Sequence, residues 1–294
     1  MPRKKTTKKT VNKVKKKELV LSSDEEVDLI EVSTYTGTTI ILMEDGTIFK
    51  KIMDLLKDVL EVGIFIINED GISLQSLDSA HISFIQMLLH KNAFSKFIYN
   101  KNREEDLELA ISMESLCNVL KCMNVGEQIT ISHNEEDSKV SWTFENPDIG
   151  SYKNFNLNLL NDESQDINIP KSNFDCRIKT LSSEFQLILK NLAYIGDYVN
   201  VCIDKDNNIV DFKSAGIHSD GLIRLKKNNH TKLKLTENFD SKFSLKYLQT
   251  YAKSASFSST VSIHLKENSP VSLEYKIDHL SGIIRYFIAP KSRE

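Results

Sequence analysis

The second half of this chain repeats the order of elements found in the first, and no other feature restricts the fold as much. TTIILMEDG reads as a strand closing in a turn, after which Phe49, Ile52, Leu56, Val59 and Leu60 fall at the spacing of an amphipathic helix. GIFIIN and ISLQSLD are strands joined through Glu69, Asp70 and Gly71, and HISFIQMLLH is a third. LELAI then leads, behind a Ser112 cap, into a helix with Leu116, Val119, Leu120 and Met123 on one face. ITISHN and KVSWTFE close the half. The second half runs CRIKT, a helix carrying Phe185, Ile188, Leu189 and Leu192, a YVNVCID/NIVDFK hairpin, GLIRLKK, and KFSLKYLQTYAKSA passing from strand to helix. TVSIHLK, VSLEYKI and IIRYFIA follow.

Ile129-Thr130-Ile131 overlays Val261-Ser262-Ile263, and Leu120-Lys121 overlays Ala252-Lys253, both with a shift of 132. Asp70-Gly71-Ile72 overlays Asn207-Asn208-Ile209 with a shift of 137. Each half holds the unit strand–helix–strands twice, so the pattern predicts an α+β fold of four duplicated modules, with one helix each and the sheets outside. The expected division is a tail over 1–37, a first domain over 38–154, a connector over 155–170 and a second domain over 171–294.

Charge separates the tail from the rest. Residues 1–17 hold nine Lys or Arg and no acid, so residues 18–294 carry 29 basic against 41 acidic side chains. Three readings of the tail are open: nuclear import, extra phosphate contacts, or a solubilising arm. The body is acidic, so any contact with nucleic acid must use a local basic surface. No apolar run is long enough to span a bilayer and none resembles a signal peptide, so no membrane partner is expected. Cys117, Cys122, Cys176 and Cys202 are scattered, read as reduced structural thiols, and complete no zinc spacing. Phosphate loops, nucleophile elbows and paired histidine ligands are absent from the sequence, so the expectation is no catalytic residue, no metal, no cofactor and no enzyme.

Lysines recur on the helices. Lys50 and Lys57 are seven residues apart and share a face, Lys246 and Lys253 repeat that spacing, and Lys121 and Lys190 lie on the polar sides of the other two. A lysine pair on one helix is ordinarily a solvated face; on four helices of one repeated unit it points to a shared surface for a polyanion. The connector residues Phe155, Leu157, Leu159, Leu160, Ile167 and Ile169 are more apolar than a free linker needs. They either line a groove for a partner peptide or pin the connector to the domains.

These residues resemble a known family. LKDVLEVGIFIINEDGISLQSLDSAHISFIQMLL is similar to the first domain of the proliferating cell nuclear antigen family, and SSEFQLILKNLAYIGDYV, FSLKYLQTYAKSASFSSTVSIHL and VSLEYKIDHLSGIIRYFIAPK to its second. The likeness runs from about Thr39 to Lys291, leaving the tail outside it. It implies a DNA polymerase processivity factor: a head-to-tail homotrimeric sliding clamp of six similar domains, helices lining a hole around duplex DNA, working in the nucleus or, for a viral chain, where viral DNA is replicated. By position, Lys50, Lys51, Lys57, Lys121, Lys190, Lys246 and Lys253 match its DNA-facing residues, while Tyr194 and Asn118 stand where the family often has basic groups. The implied pocket for short hydrophobic motifs of polymerases and other clients falls on Leu77, His81, Ile82, Leu157, Leu159, Leu160, Ile169, Pro270, Phe287, Ala289 and Pro290. Asp162 and Ser164 there replace apolar residues. Subunit contacts fall on Tyr152, Phe155, Leu157, Gly221, Ile223 and Leu225, and a clamp loader is the further partner implied. The alternatives are one subunit of a heterotrimeric checkpoint-type clamp, a non-ring processivity factor, or a DNA-modifying enzyme on the same fold.

Overall fold

The computed structural model describes residues 38–99, 105–135, 137–162 and 174–291; the tail and Ile169 lie outside them. Four modules follow one another. The first is strand β1 (Thr38–Met43), helix α1 (Thr47–Leu56), then β2 (Val62–Asn68), β3 (Gly71–Leu77), β4 (Ser83–His90) and the short β5 (Lys96–Ile98). The second is β6 (Leu107–Ser112), α2 (Met113–Lys121), β7 (Gln128–Asn134), β8 (Lys139–Asn146) and β9 (Ser151–Asn158). The third is β10 (Cys176–Leu181), α3 (Ser182–Ala193), β11 (Tyr198–Asp204), β12 (Ile209–Ala215), β13 (Asp220–Lys226) and β14 (Lys232–Leu235). The fourth is β15 (Phe239–Ser244), α4 (Leu245–Ala252), β16 (Thr260–Leu265), β17 (Val271–Lys276) and β18 (Gly282–Ile288).

Local chemistry sets these boundaries. Asp45 Oδ1 accepts from the Thr47 N–H (2.8 Å) as α1 begins, and Ser112 Oγ accepts from the Ser115 N–H (3.3 Å), capping α2 as its sequence predicts. The β2–β3 turn needs its glycine. Gly71 has φ +145°, and a Cβ there would meet the Leu89 carbonyl oxygen at 2.0 Å. On α3, Phe185, Ile188, Leu189 and Leu192 are all buried. Each stabilises the fold by about 1.5–3 kcal/mol, and Leu189→Ala would cost about 2–5 kcal/mol.

Modules interlock by exchanging first strands: β1 pairs with β7, β6 with β2, β10 with β16 and β15 with β11, all antiparallel. Three sheets result, ordered β5-β1-β7-β8-β9, β14-β10-β16-β17-β18-β4-β3-β2-β6, and β13-β12-β11-β15. The long middle sheet is a composite. Its part β14-β10-β16-β17-β18 repeats the order of the five-stranded sheet, and its part β4-β3-β2-β6 repeats that of the four-stranded one. The two parts join where β18 runs against β4, from Gly282↔Leu89 to Ile288↔Ser83. Helix α1 packs on α2 and α3 on α4, and one continuous apolar core lies beneath them.

The structure departs from the sequence reading in three places. Strands β5 and β14 were not anticipated, and β9, where the resemblance set a subunit contact, carries Phe155–Asn158, read as the start of the connector, into the sheet. Pairing with β8, from Asn146↔Ser151 to Lys139↔Asn158, holds that stretch. The overlay of Ile72 on Ile209 is also one residue out. The β2–β3 loop spans two residues and the β11–β12 loop four, and the buried counterpart of Ile72 is Val210. A one-residue slip moves every side chain to the other face. Finally, Met123 is buried, but in the turn after α2 rather than on the helix.

Candidate functional site

The helix lysines do not share one environment. Lys51, Lys190 and Lys246 are exposed, one each on α1, α3 and α4, and none has an ion pair among the described residues. Lys121, exposed on α2, donates to Asn118 Oδ1 (2.9 Å). Lys50 is half-buried and donates to the Met123 carbonyl (3.0 Å). Lys57, the residue that ends α1, sits 3.5 Å from Asp54, and Lys253, which ends α4, pairs with Asp58 at 3.0 Å. The helices also carry acids, Asp54, Glu114 and Glu184. Exposed pairs of this kind gain little and leave the lysine free to exchange partners. Tyr194, at the end of α3, is 76% exposed.

A second site lies on the face of the middle sheet turned away from the helices. Cross-strand register places Leu77 beside Phe84 and Phe84 beside Phe287, with ring centroids of the two phenylalanines 5.9 Å apart. Their neighbours Ile85 and Tyr286 point the other way, into the core. Ile82 is 41% and Leu160 40% exposed. The Ile82 carbonyl accepts from the Ala289 N–H (3.2 Å), and Leu160 N donates to the Ala110 carbonyl (2.9 Å), fixing the connector along β6. Leu159 is half-buried and held through its N–H by Ser138.

Next to this row is a cavity of about 370 Å³ lined by Leu60, Val62, Ile64, Leu77, His81 and Asp162, among others. His81 takes a left-handed conformation (φ 54°) in a turn organised by buried Asp78, whose Oδ1 accepts from the N–H groups of Ile82 (2.8 Å) and Ser83 (2.5 Å). Ala289 is exposed, Pro290 half-buried, and Pro270 an exposed residue just before β17. Leu157 is a correction. It packs into the apolar core from β9, so its side chain is no part of a pocket wall, unlike Phe84, which is also buried (7% exposed) but lies outside that core against Phe287. Phe84 is the residue that sequence reasoning missed, although the alternation of ISFIQM already assigned it the face opposite Ile85.

The third feature is a pair of unpaired strand edges, β9 and β13. Tyr152 is 65% exposed, Phe155 is half-buried with its ring 5.7 Å from Phe144, and Gly221 and Ile223 are half-buried. Leu157 and Leu225 face inward and offer an interface only their backbone. Each edge is anchored by an ion pair. Lys153 Nζ donates to both oxygens of fully buried Glu127 (2.8 and 2.9 Å) and to the Cys122 carbonyl (3.0 Å). Burial alone would raise the Glu127 pKa, but hydrogen bonds from Lys153 and Asn124 outweigh it and hold the carboxyl below its usual value. On β13, Arg224 grips Asp211 with two bonds (2.7 and 2.8 Å), and these depress the Asp211 pKa.

Among the described residues, no three His, Cys, Asp or Glu side chains converge on a common point, and no helix is long and apolar enough to cross a membrane. Cys117 and Cys176 are buried, Cys202 is half-buried and Cys122 exposed; burial pushes the Cys117 thiol up to about 11. What the geometry provides is surfaces: cationic helix faces, an apolar row beside a cavity, and two open edges.

The family model described as proliferating cell nuclear antigen, N-terminal domain, matches residues 41–167, and that of the C-terminal domain of the same protein matches residues 168–291.

Proposed function

Because the chain belongs to the proliferating cell nuclear antigen family of DNA sliding clamps and processivity factors, we propose that it forms a homotrimeric ring around duplex DNA and tethers polymerases to it, without catalysis of its own. One observation carries this reading: the two open edges are the counterparts of the two strands that pair inside the chain. β9 occupies the place of β18, and β13 the place of β4. Joining β9 of one subunit to β13 of the next would rebuild, between chains, the composite sheet that β18 and β4 build within one. The contact is head-to-tail, so it closes into a ring when the rotation per subunit is right. Carrying the β18–β4 register across by this equivalence sets Phe155 opposite Gly221, where the missing side chain leaves room for the ring.

On this reading α1–α4 line the hole and Lys51, Lys121, Lys190 and Lys246 give one mobile phosphate contact per module. Such contacts carry no sequence information, and a ring held by topology gains nothing from tighter ones. The Leu77–Phe84–Phe287 row with Ile82, Leu160, Ala289 and Pro290 is the seat for a client's short apolar motif, and a clamp loader opens the ring. The setting is the nucleus or a site of viral DNA replication.

The test is processive primer extension with the Lys51→Glu, Lys190→Glu, Lys246→Glu triple variant. Extension lengths should shorten severalfold, more steeply as salt rises, while light scattering still reports three times the 33.6 kDa chain mass. Unchanged extension would remove the helices from the DNA path. A native mass of one or two chains for the unmodified protein would remove the homotrimer and leave the heterotrimeric or non-ring alternative.

A further inference from the structure

Beside the apolar row a second groove, of about 820 Å³, crosses the outward face of β13-β12-β11-β15. Register sets Leu222, Lys213, Asn200 and Lys242 side by side across the four strands, with Tyr198 on the same face. The ammonium groups of Lys242 and Lys291 lie 5.1 and 4.6 Å from the centroid of the Tyr198 ring. Both therefore sit within about 10 Å of one another, inside one Debye length at 0.1 M salt. Neither has an ion pair among the described residues. Asp220 and Asp240 also line the groove, on its β13 and β15 sides; Asp240 accepts from Cys202 Sγ (3.5 Å).

The groove and the apolar row are continuous through the backbone. The Ala289 N–H bonds to the Ile82 carbonyl, and two residues on the Lys291 N–H bonds to the Lys242 carbonyl (2.7 Å). The segment Ala289–Lys291 thus leaves the apolar row and arrives at the paired ammonium groups. At the opposite end, the cavity beside Leu77 exposes Glu61 and Asp162. The whole surface is polarised: acidic, then apolar, then basic.

We propose that the peptide seat extends into this groove and selects client segments bearing Asp or Glu on the flank that reaches Tyr198, Lys242 and Lys291. This rests on the reading of the apolar row as a client site and adds the partner's charge pattern to it. Paired cations on an aromatic face, without an ion pair among the described residues, are a receptor for carboxylates: each ammonium keeps donors to offer. The acidic far end disfavours the same peptide laid in reverse, so charge sets direction as well as affinity.

The experiment titrates the full chain calorimetrically with three synthetic peptides sharing one apolar core. One has neutral flanks, one is acidic before the core and basic after it, and one has the reverse order. One charged peptide should bind about five- to tenfold tighter than the neutral one and the other more weakly, with the gap closing at 0.5 M salt. In the Lys242→Glu, Lys291→Glu variant that advantage should vanish while the neutral peptide binds as before. Equal affinity for all three peptides, with binding intact, would overturn the charge pattern and leave the seat standing. Failure of every peptide to bind, the neutral one included, would overturn the seat itself and this inference with it.

Discussion

The molecule contains the same junction twice, once closed and once open, and the two are built from different chemistry. Where β18 meets β4 the paired positions are Phe84 with Phe287, Ile85 with Tyr286 and Met87 with Ile284, and Ile85, Tyr286, Met87 and Ile284 are fully buried. Ser83 shares a hydrogen bond with Tyr251, and the Tyr251 and Tyr286 rings stack 4.2 Å apart, so α4 is bonded across the joint. The equivalent open strands read Ser-Tyr-Lys-Asn-Phe-Asn-Leu-Asn and Asp-Gly-Leu-Ile-Arg-Leu-Lys, and their exposed positions are polar except Tyr152 and Leu222. A joint that never parts can bury apolar side chains along its core face, leaving its polar pair, Arg285 opposite Gln86, on the other face. In the proposed ring the open joint would have to part and rejoin, so it has to be soluble while open, and polar residues on a free edge also discourage pairing with the wrong strand.

The contrast fails first if the closed joint tolerates damage. Ile284→Asp buries an unpaired charge and should cost about 4 kcal/mol or more, leaving a chain without a cooperative melt by circular dichroism. Native-like melting would make the seam dispensable.

At the open edge the expected failure is of assembly alone. A Cβ at Gly221 would meet only Ile195 and Leu192, at 3.4 and 3.8 Å, so Gly221→Leu should keep its fold. Facing Phe155 across the proposed contact, it should weaken association about a hundredfold, seen as a fall in native mass. A stable trimer would refute the register.

The two regions should also part company with pH. Glu127 has a depressed pKa, so its contribution is present above the unfolded value of about 4 and is lost as pH falls through the folded one. Glu127→Gln should therefore cost about 1–3 kcal/mol in urea unfolding at pH 7, a gap that shrinks as pH falls through the folded pKa. A gap that persisted in acid would mean that packing, not charge, is lost.

The seam should fail in base instead. Burial pushes the Tyr251 pKa up to about 12 and that of Tyr286 well above its ordinary value, so their stabilisation is present below about 10, the unfolded value, and is lost as pH rises through the folded ones. Tyr251→Phe should cost about 1 kcal/mol at pH 7 through the bond to Ser83, and that deficit should shrink above pH 10. A deficit constant with pH would place the phenol outside the linkage.

The four modules, their helices and most strands were legible because buried side chains recur with a period that the sequence shows directly. Periodicity did not show strand β9, since its Asn-rich alternation resembles a polar linker until β8 supplies a partner; only the resemblance pointed to an edge there. The helix lysines were legible as a set, yet which of them remain unpaired depends on Asp54 and Asp58, and Asp58 reaches Lys253 from 195 residues away. The apolar row was reached through resemblance, which also took in Leu157, because the strand parity that turns this residue inward is invisible until register is known. The basic groove was hidden for the same reason: Lys213, Lys242 and Lys291 come from separate segments, and only sheet order collects them around Tyr198.

The closed joint also sets a clock on synthesis. β4 ends at His90, and its partner β18 begins only at Gly282. At ordinary elongation rates the interval is roughly ten to forty seconds, far longer than a hairpin needs to form. Throughout it, an edge carrying Phe84, Ile85, Met87 and Leu89 waits unpaired beside the ribosome, the kind of strand that recruits neighbours into aggregates. A message cut short anywhere before β18 would therefore yield a sticky product rather than a soluble half-molecule, and the demand for chaperones should peak early in translation.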